Sequence, residues 1–226
     1  MQLAKGGEAF WLNSRTVAHV FEEDDALALY AINIRFEAES EGNPGVLSTS
    51  LTPLLIGKFP TKSATNFRYS AGSGYLVFSA YVYSDGNLTA VKDHDKAWET
   101  RGNSAFVYDT TYERHWDTWV GPKKNSLFSV RLVQDPDRQW VFGEQFVNLL
   151  AGTKHVSLFR PYPFESLLSS LQSCPVEPFG GTDDFDVSRT HVIYTTKDPQ
   201  LPEAWHTKQN VSICVIANFW HFDFNF

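Results

Sequence analysis

The sequence predicts an all-β fold, an incomplete β-propeller of about three to four four-stranded blades. Three observations carry this expectation. Aromatic residues make up 15% of the 226, with 18 Phe and 7 Trp against a single Met, and aromatic and β-branched side chains suit a pleated, half-buried surface. One pattern recurs: Trp11-Leu12-Asn13-Ser14-Arg15-Thr16 and Phe185-Asp186-Val187-Ser188-Arg189-Thr190 both read aromatic-x-x-Ser-Arg-Thr before a short apolar run. Apolar runs of strand length, bounded by turn residues, lie between these copies.

Each copy reads as a hairpin. An aromatic packs between neighbouring sheets, a polar turn reverses the chain, and a buried strand follows. A looser copy leads from Phe67-Arg68-Tyr69-Ser70 through a Gly/Ser turn at 71–74 into 75–83, and a fourth leads from Trp116-Asp117-Thr118-Trp119 to 127–132. Repeats of about 40–50 residues with four short strands each describe propeller blades. Residues 26–35 form a mostly apolar strand, 75–83 a second closed by Ser84-Asp85-Gly86-Asn87, and 128–132 alternate with period two. The competing architecture is an ordinary β-sandwich, which has such strands but no reason to repeat the motif. The partial propeller is expected over 1–213. Within it, 158–174 is an atypical insert, a Pro-punctuated start followed by a short apolar helix. Residues 214–226 form an aromatic-dense tail, a hazard wherever it stays uncovered.

Charge and composition exclude several functions. The net charge is −7, without a basic, aromatic-interleaved groove, which argues against nucleic acid as a partner. No apolar run reaches the roughly 18 residues of a membrane helix. Residues 1–7 lack the apolar core of a signal peptide. Cys174 and Cys214 make neither a disulfide framework nor a metal cluster. No Gly-rich phosphate loop appears, so no cofactor and no metal are expected. Asn87-Leu88-Thr89 and Asn210-Val211-Ser212 are possible N-glycosylation sites, a weak signal by themselves.

Three segments carry a family resemblance: Arg114-His115-Trp116-Asp117-Thr118-Trp119, then Val147-Asn148-Leu149-Leu150-Ala151-Gly152-Thr153-Lys154, then a run from Pro178-Phe179-Gly180-Gly181 through Phe185 to Trp205-His206 and Asn210. From about Trp11 to Ile213 the chain resembles the fungal secreted dipeptidyl peptidase V family. The resemblance implies an N-terminal propeller covering a C-terminal α/β-hydrolase of prolyl-oligopeptidase type, whose Ser-Asp-His triad removes dipeptides from peptide N-termini. It also implies secretion and glycosylation. The matching part is the propeller, so the hydrolase is a missing partner domain and the chain alone is expected to be inactive. The match breaks at 158–174 and beyond Ile213. Both breaks read as translated non-coding sequence, a retained short intron and a read-through. An unclosed arc of blades exposes sheet edges, so aggregation or edge pairing is expected.

The chemistry-bearing residues agree with a non-catalytic reading. A hydrolase of this type needs a Gly-x-Ser-x-Gly elbow between a strand and a helix. Ser73 comes nearest, but Ala71 and Tyr75 occupy the outer positions and the setting is a hairpin turn. The strand–helix alternation of a doubly wound sheet is missing too. His94, between Asp93 and Asp95, sits among Lys92, Lys96 and Glu99 and reads as a solvated loop or short helix. Asp183 and Asp184, and Glu22, Glu23, Asp24 and Asp25, read as turns. The cluster Arg114, His115, Trp116, Asp117 and Trp119 reads either as a buried structural set or as a substrate-facing one, since Trp and His need polar partners once covered; His206 beside Trp205 is similar. In related dipeptidyl peptidases, propeller carboxylates hold the substrate's amine, and Glu113, Asp117 and Glu144 are candidates by type. The alternative function is a stand-alone module that binds peptide or glycan through Trp116 and Trp119.

Overall fold

A computed structural model describes residues 7–23, 26–36, 47–49, 52–102, 105, 114–115, 118–119, 121–143, 145–151, 181–197, 207–216 and 221–223. These form three antiparallel meanders, each filling four strand positions, and a propeller-like, all-β arrangement results.

The first sheet comprises β1 (Ala9–Asn13), β2 (Thr16–Glu23), β3 (Ala26–Phe36), β4 (Leu47–Thr49) and β5 (Leu54–Phe59). Strands β4 and β5 share one edge of β3, so the fourth position is split in two. The second sheet begins with β6 (Thr65–Ser70) and β7 (Tyr75–Val82). A short 3-10 turn (Leu88–Ala90), α1 (Val91–Glu99), β8 (Arg114–His115) and β9 (Thr118–Trp119) intervene. The sheet then resumes with β10 (Lys124–Gln134), beside which β11 (Trp140–Phe142) and β12 (Val147–Asn148) again divide the fourth position. The third sheet is β13 (Phe185–Val187), β14 (His191–Lys197), β15 (Gln209–Val215) and β16 (His221–Asp223).

The sheets stack as blades, with blade 2 in the middle. One face of β7 and β10 packs Leu76, Phe78, Phe128, Val130 and Leu132 against Ala18, Val20, Leu29 and Phe59 of blade 1. The opposite face packs Val77 and Leu127 with Phe185, Val192, Tyr194 and Cys214 of blade 3. Burial on both sides explains why β7 and β10 are nearly continuous buried runs rather than alternating ones. The period-two reading of 128–132 located the strand but missed its second covered face. Aromatic rings fill the space between blades 1 and 2. Phe59 lies 5.0 Å from Phe67, 5.3 Å from Phe78 and 5.2 Å from Phe142, in tilted and edge-to-face contacts. Gly57 permits the approach of β5 to β11, because a Cβ there would land on the Phe142 ring.

The repeat needs two corrections. Trp116–Trp119 does not open a fourth blade: β9 pairs with β8, and β10 runs beside β7 as the third strand of blade 2. Nor does the motif's aromatic always pack between sheets. Phe67 and Phe185 are buried, but Trp11 is 55% exposed. Trp11 pairs with Val17, on the face of blade 1 opposite to the one that Ala18, Val20 and Leu29 pack against blade 2. Glu22 and Glu23, expected in a turn, end β2 and meet Lys62 and Lys58; Asp24 and Asp25 lie outside the described residues. Strand β15 crosses the 213/214 boundary, with Cys214 buried, and β16 from the tail pairs with it. The insert 158–174 lies outside the described residues.

Candidate functional site

Blade 2 differs from its neighbours in the connection between its second and third strands. In blade 1 that connection is 24–25, whereas in blade 2 it is 83–123 and carries α1 and the β8–β9 hairpin. Connections longer than about 12–15 residues are uncommon in compact domains and often functional. The excursion is therefore the candidate site, and two of the sequence's candidate groups fall on it.

Its neck is tied by one carboxylate. Asp95 of α1 accepts hydrogen bonds on Oδ1 from the Tyr83 hydroxyl, at 2.9 Å, and from Lys123 Nζ, at 2.8 Å. Tyr83 follows β7 and Lys123 precedes β10, so Asp95 joins the outgoing and returning chains. Burial pushes the Tyr83 hydroxyl up to about 12, reinforced by its hydrogen bond to Asp95. The His94 ring lies against Tyr83 with centroids 4.9 Å apart, and its Nε2 is 2.9 Å from Asp85 Oδ2. His94 thus sits on a short exposed helix, partnered by Asp85 rather than by the adjacent Asp93. Leu88 and Val91 anchor this end in the core, and Asn87 caps the 3-10 turn, its Oδ1 accepting from Thr89 N and Oγ1.

Beyond the helix, Arg114 pairs with Trp119 and His115 with Thr118 in the backbone register of a minimal hairpin. The structure therefore brings the strand residues of the aromatic cluster together. Trp116, Asp117, Glu113, Glu144 and His206 lie outside the described residues. Ser73 belongs to the β6–β7 turn, where its N–H donates to the Ser70 carbonyl at 3.1 Å and its hydroxyl lies 3.4 Å from the same oxygen. Asp183 and Asp184 form the turn before β13, as expected. Among the described residues no group of three or more His, Cys, Asp or Glu is placed to hold a metal ion, and no helix is long and apolar enough to cross a membrane.

A second polar centre was missed by the sequence reading. The Glu8 carboxylate accepts from Thr65 Oγ1 (2.9 Å), Asn66 N (2.6 Å) and Phe67 N (2.8 Å). Asn66 stands at a bulge of β6 with φ of 59°, a conformation Asn tolerates better than most residues. Its Nδ2 donates to Ser79 Oγ at 2.9 Å and to Thr182 Oγ1 at 2.8 Å. Glu8 precedes β1 and Thr182 precedes β13, so this knot joins all three blades along their first strands. No local sequence signal reveals it, because Glu8 and its partners are 57 to 59 positions apart.

The amino-acid sequence is similar to curated proteins named dipeptidyl-peptidase 5. The chain is 28% identical over 202 residues to a probable dipeptidyl-peptidase 5 of Emericella nidulans, covering 88% of this chain and 24% of that protein. It is 31% identical over 106 residues to dipeptidyl-peptidase 5 of Schizosaccharomyces pombe, covering 47% of this chain and 14% of that protein. It is 35% identical over 104 residues to a probable dipeptidyl-peptidase 5 of Trichophyton verrucosum, covering 45% and 12%. The chain thus spans under a quarter of the length of the curated relatives it matches. No family model matches it, and no solved structure does.

Proposed function

We propose that this chain is a non-catalytic propeller portion of a secreted serine dipeptidyl peptidase, an enzyme that removes N-terminal dipeptides from peptides. The observation that carries the reading is the similarity to dipeptidyl-peptidase 5 across 88% of the chain but only 24% of the relative. The nucleophile belongs to the hydrolase in the remaining length. Ser73, the serine nearest in sequence to an elbow, supports this division, since it lies in a strand-to-strand turn rather than the strand-to-helix turn that exposes a nucleophile. The propeller walls the catalytic chamber and lends surface to the substrate. In blade 2 the excursion 83–123 is the element that does so, with Arg114, His115, Trp116, Asp117 and Trp119 facing peptide. A carboxylate among Glu113, Asp117 and Glu144 compensates the desolvated amine. Of the two glycosylation sites Asn87 is the acceptor: it is exposed, and its hydrogen bonds to Thr89 use the side-chain oxygen, not the nitrogen a glycan takes. Asn210 is half-buried in β15, and Ser212 is 4% exposed.

A domain exchange tests the reading. Residues 7–216 replace the matched stretch of the Emericella nidulans protein, and release of chromophore from dipeptidyl nitroanilides is followed. The exchanged protein is expected to cleave them and the isolated chain to be inert. Hydrolysis by the isolated chain, abolished by serine-directed phosphonylation, would overturn the proposal. Binding of peptide or glycan by the isolated chain, lost on Trp119→Ala, would favour a stand-alone module instead.

A further inference from the structure

One segment of the family resemblance, Val147-Asn148-Leu149-Leu150, lies outside the excursion 83–123 yet reaches into its root. Leu149 and Leu150 are buried in the contact between blades 2 and 3. Asn148 has a different task. Its Oδ1 accepts from Leu150 N at 3.0 Å and from Ser126 Oγ at 3.1 Å. Its Nδ2 donates to the Gly86 carbonyl at 3.0 Å, across 62 positions of sequence. The Gly86 N–H in turn donates to the Tyr83 carbonyl at 2.9 Å and closes the turn by which the chain leaves β7. A φ of 64° favours glycine there, and a Cβ would stand 3.0 Å from Asn148 Nδ2.

The two ends of the Asn148 amide do separable work. The bond from Leu150 N is an Asx turn, which Asp or Ser would close as well. The bond to Gly86 needs a donor, and the amide nitrogen supplies it. Leu150 N–H can only donate, so it holds the oxygen on its own side and the nitrogen towards Gly86. The root of the excursion is thereby held at three places: Asn148 on Gly86, Asp95 on Tyr83 and Lys123, and Leu88 with Val91 in the core. Helix α1 has nine residues, short of the roughly 12–15 at which a helix begins to stand by itself. Its placement depends on these anchors.

We propose that Asn148 is a positioning residue for the candidate site. Through Gly86 it fixes where the excursion leaves blade 2, and so keeps α1 and the β8–β9 hairpin beyond it in the arrangement that binds. A site that is competent for only part of the time binds with an affinity reduced by that fraction. The consequence for peptide rests on the peptidase reading; the mounting of the excursion does not.

Amide hydrogen–deuterium exchange of the full chain, read by mass spectrometry, tests it. Asn148→Asp keeps the oxygen that closes the Asx turn and removes the donor to Gly86; Asn148→Ser does so without adding a charge. In both variants the amides of 86–99 should exchange roughly tenfold faster, while those of β7 and β10 stay within about twofold. In the domain-exchange peptidase, Asn148→Asp should raise KM for dipeptidyl nitroanilides roughly threefold or more and leave kcat within about twofold. Unchanged protection across 86–99 would overturn the proposal. Equal acceleration in β7 and β10, or loss of far-ultraviolet circular dichroism, would make Asn148 a prop of the whole blade and overturn it too. A fall in kcat at constant KM would do the same. An inert domain-exchange protein that retains Asn148 would sink the peptidase reading alone, because deuterium uptake in the chain still decides the mounting.

Discussion

The two blade–blade contacts in this molecule are built from different material. Between blades 1 and 2 the contact is a net of rings, with Phe59 touching Phe67, Phe78, Phe142 and Phe146. Between blades 2 and 3 the face of β10 carries Asn125 and Ser129 beside Leu127. Asn125 is 1% exposed, and neither its Oδ1 nor its Nδ2, nor the Ser129 hydroxyl, has a hydrogen-bond partner among the described residues. The same two strands, β7 and β10, supply both faces, so the difference lies in which residues fall on even and odd positions. An aromatic net gains from every ring it covers, while a buried polar group without a partner costs about 1–3 kcal/mol. On this contrast blade 3 is expected to open first.

The largest test of this contrast is Phe78→Ala. Phe78 is 0% exposed and stacks near Phe59, Phe67, Phe128 and Phe146, so truncation should cost about 3–5 kcal/mol in denaturant unfolding. A loss below 1 kcal/mol would mean that the net contributes little beyond filling space. On the other face, Asn125→Leu should leave stability unchanged or raise it by about 1–3 kcal/mol, because it removes an unpaired amide from a covered site. A clear loss would show that Asn125 has a partner after all and that the second contact is not the weaker one.

The smallest effect is one of pH. Burial against blade 2 pushes the Cys214 thiol up to about 12 from an ordinary value of 9.0. The folded chain holds the proton more tightly than the unfolded one. This contribution is therefore intact below pH 9, is lost progressively as pH rises from 9 towards 12, and adds to the parallel loss from Tyr83. Cys214 in native protein at pH 8 should resist thiol alkylation, read by peptide mapping that separates it from Cys174, and its labelling should appear only as blade 3 opens. Rapid labelling of Cys214 without unfolding would show that the second contact lets solvent in.

Much of the fold, and the setting of His94 within the candidate site, was legible for local reasons. The hairpin turns are short, so Ser14-Arg15, 71–74 and Arg189-Thr190 announce themselves within a few residues. His94 reads as a surface helix residue because Lys92, Lys96 and Glu99 surround it, although its partner Asp85 lies outside that window. The Asp95 tie to Tyr83 and Lys123 was not legible, since the three come together only after the excursion returns to the sheet. The Glu8 knot was hidden for the same reason: a carboxylate near the start is satisfied by backbone groups of another blade.

Sequence alone determined the strand-forming material, the turns that separate it and the class of fold, because propensity and turn chemistry act over a few neighbouring residues. Tertiary structure decided which face each residue occupies and which strand opens a blade. Blade 2 packs on the Ala18 and Val20 face of blade 1 and leaves Trp11 on the other, and the long excursion makes β10 the completion of blade 2 rather than the start of another. The physical reason is that strand side chains alternate with a period of two. One extra residue, or one distant partner strand, moves a whole row between core and surface, and no local pattern records which way it went.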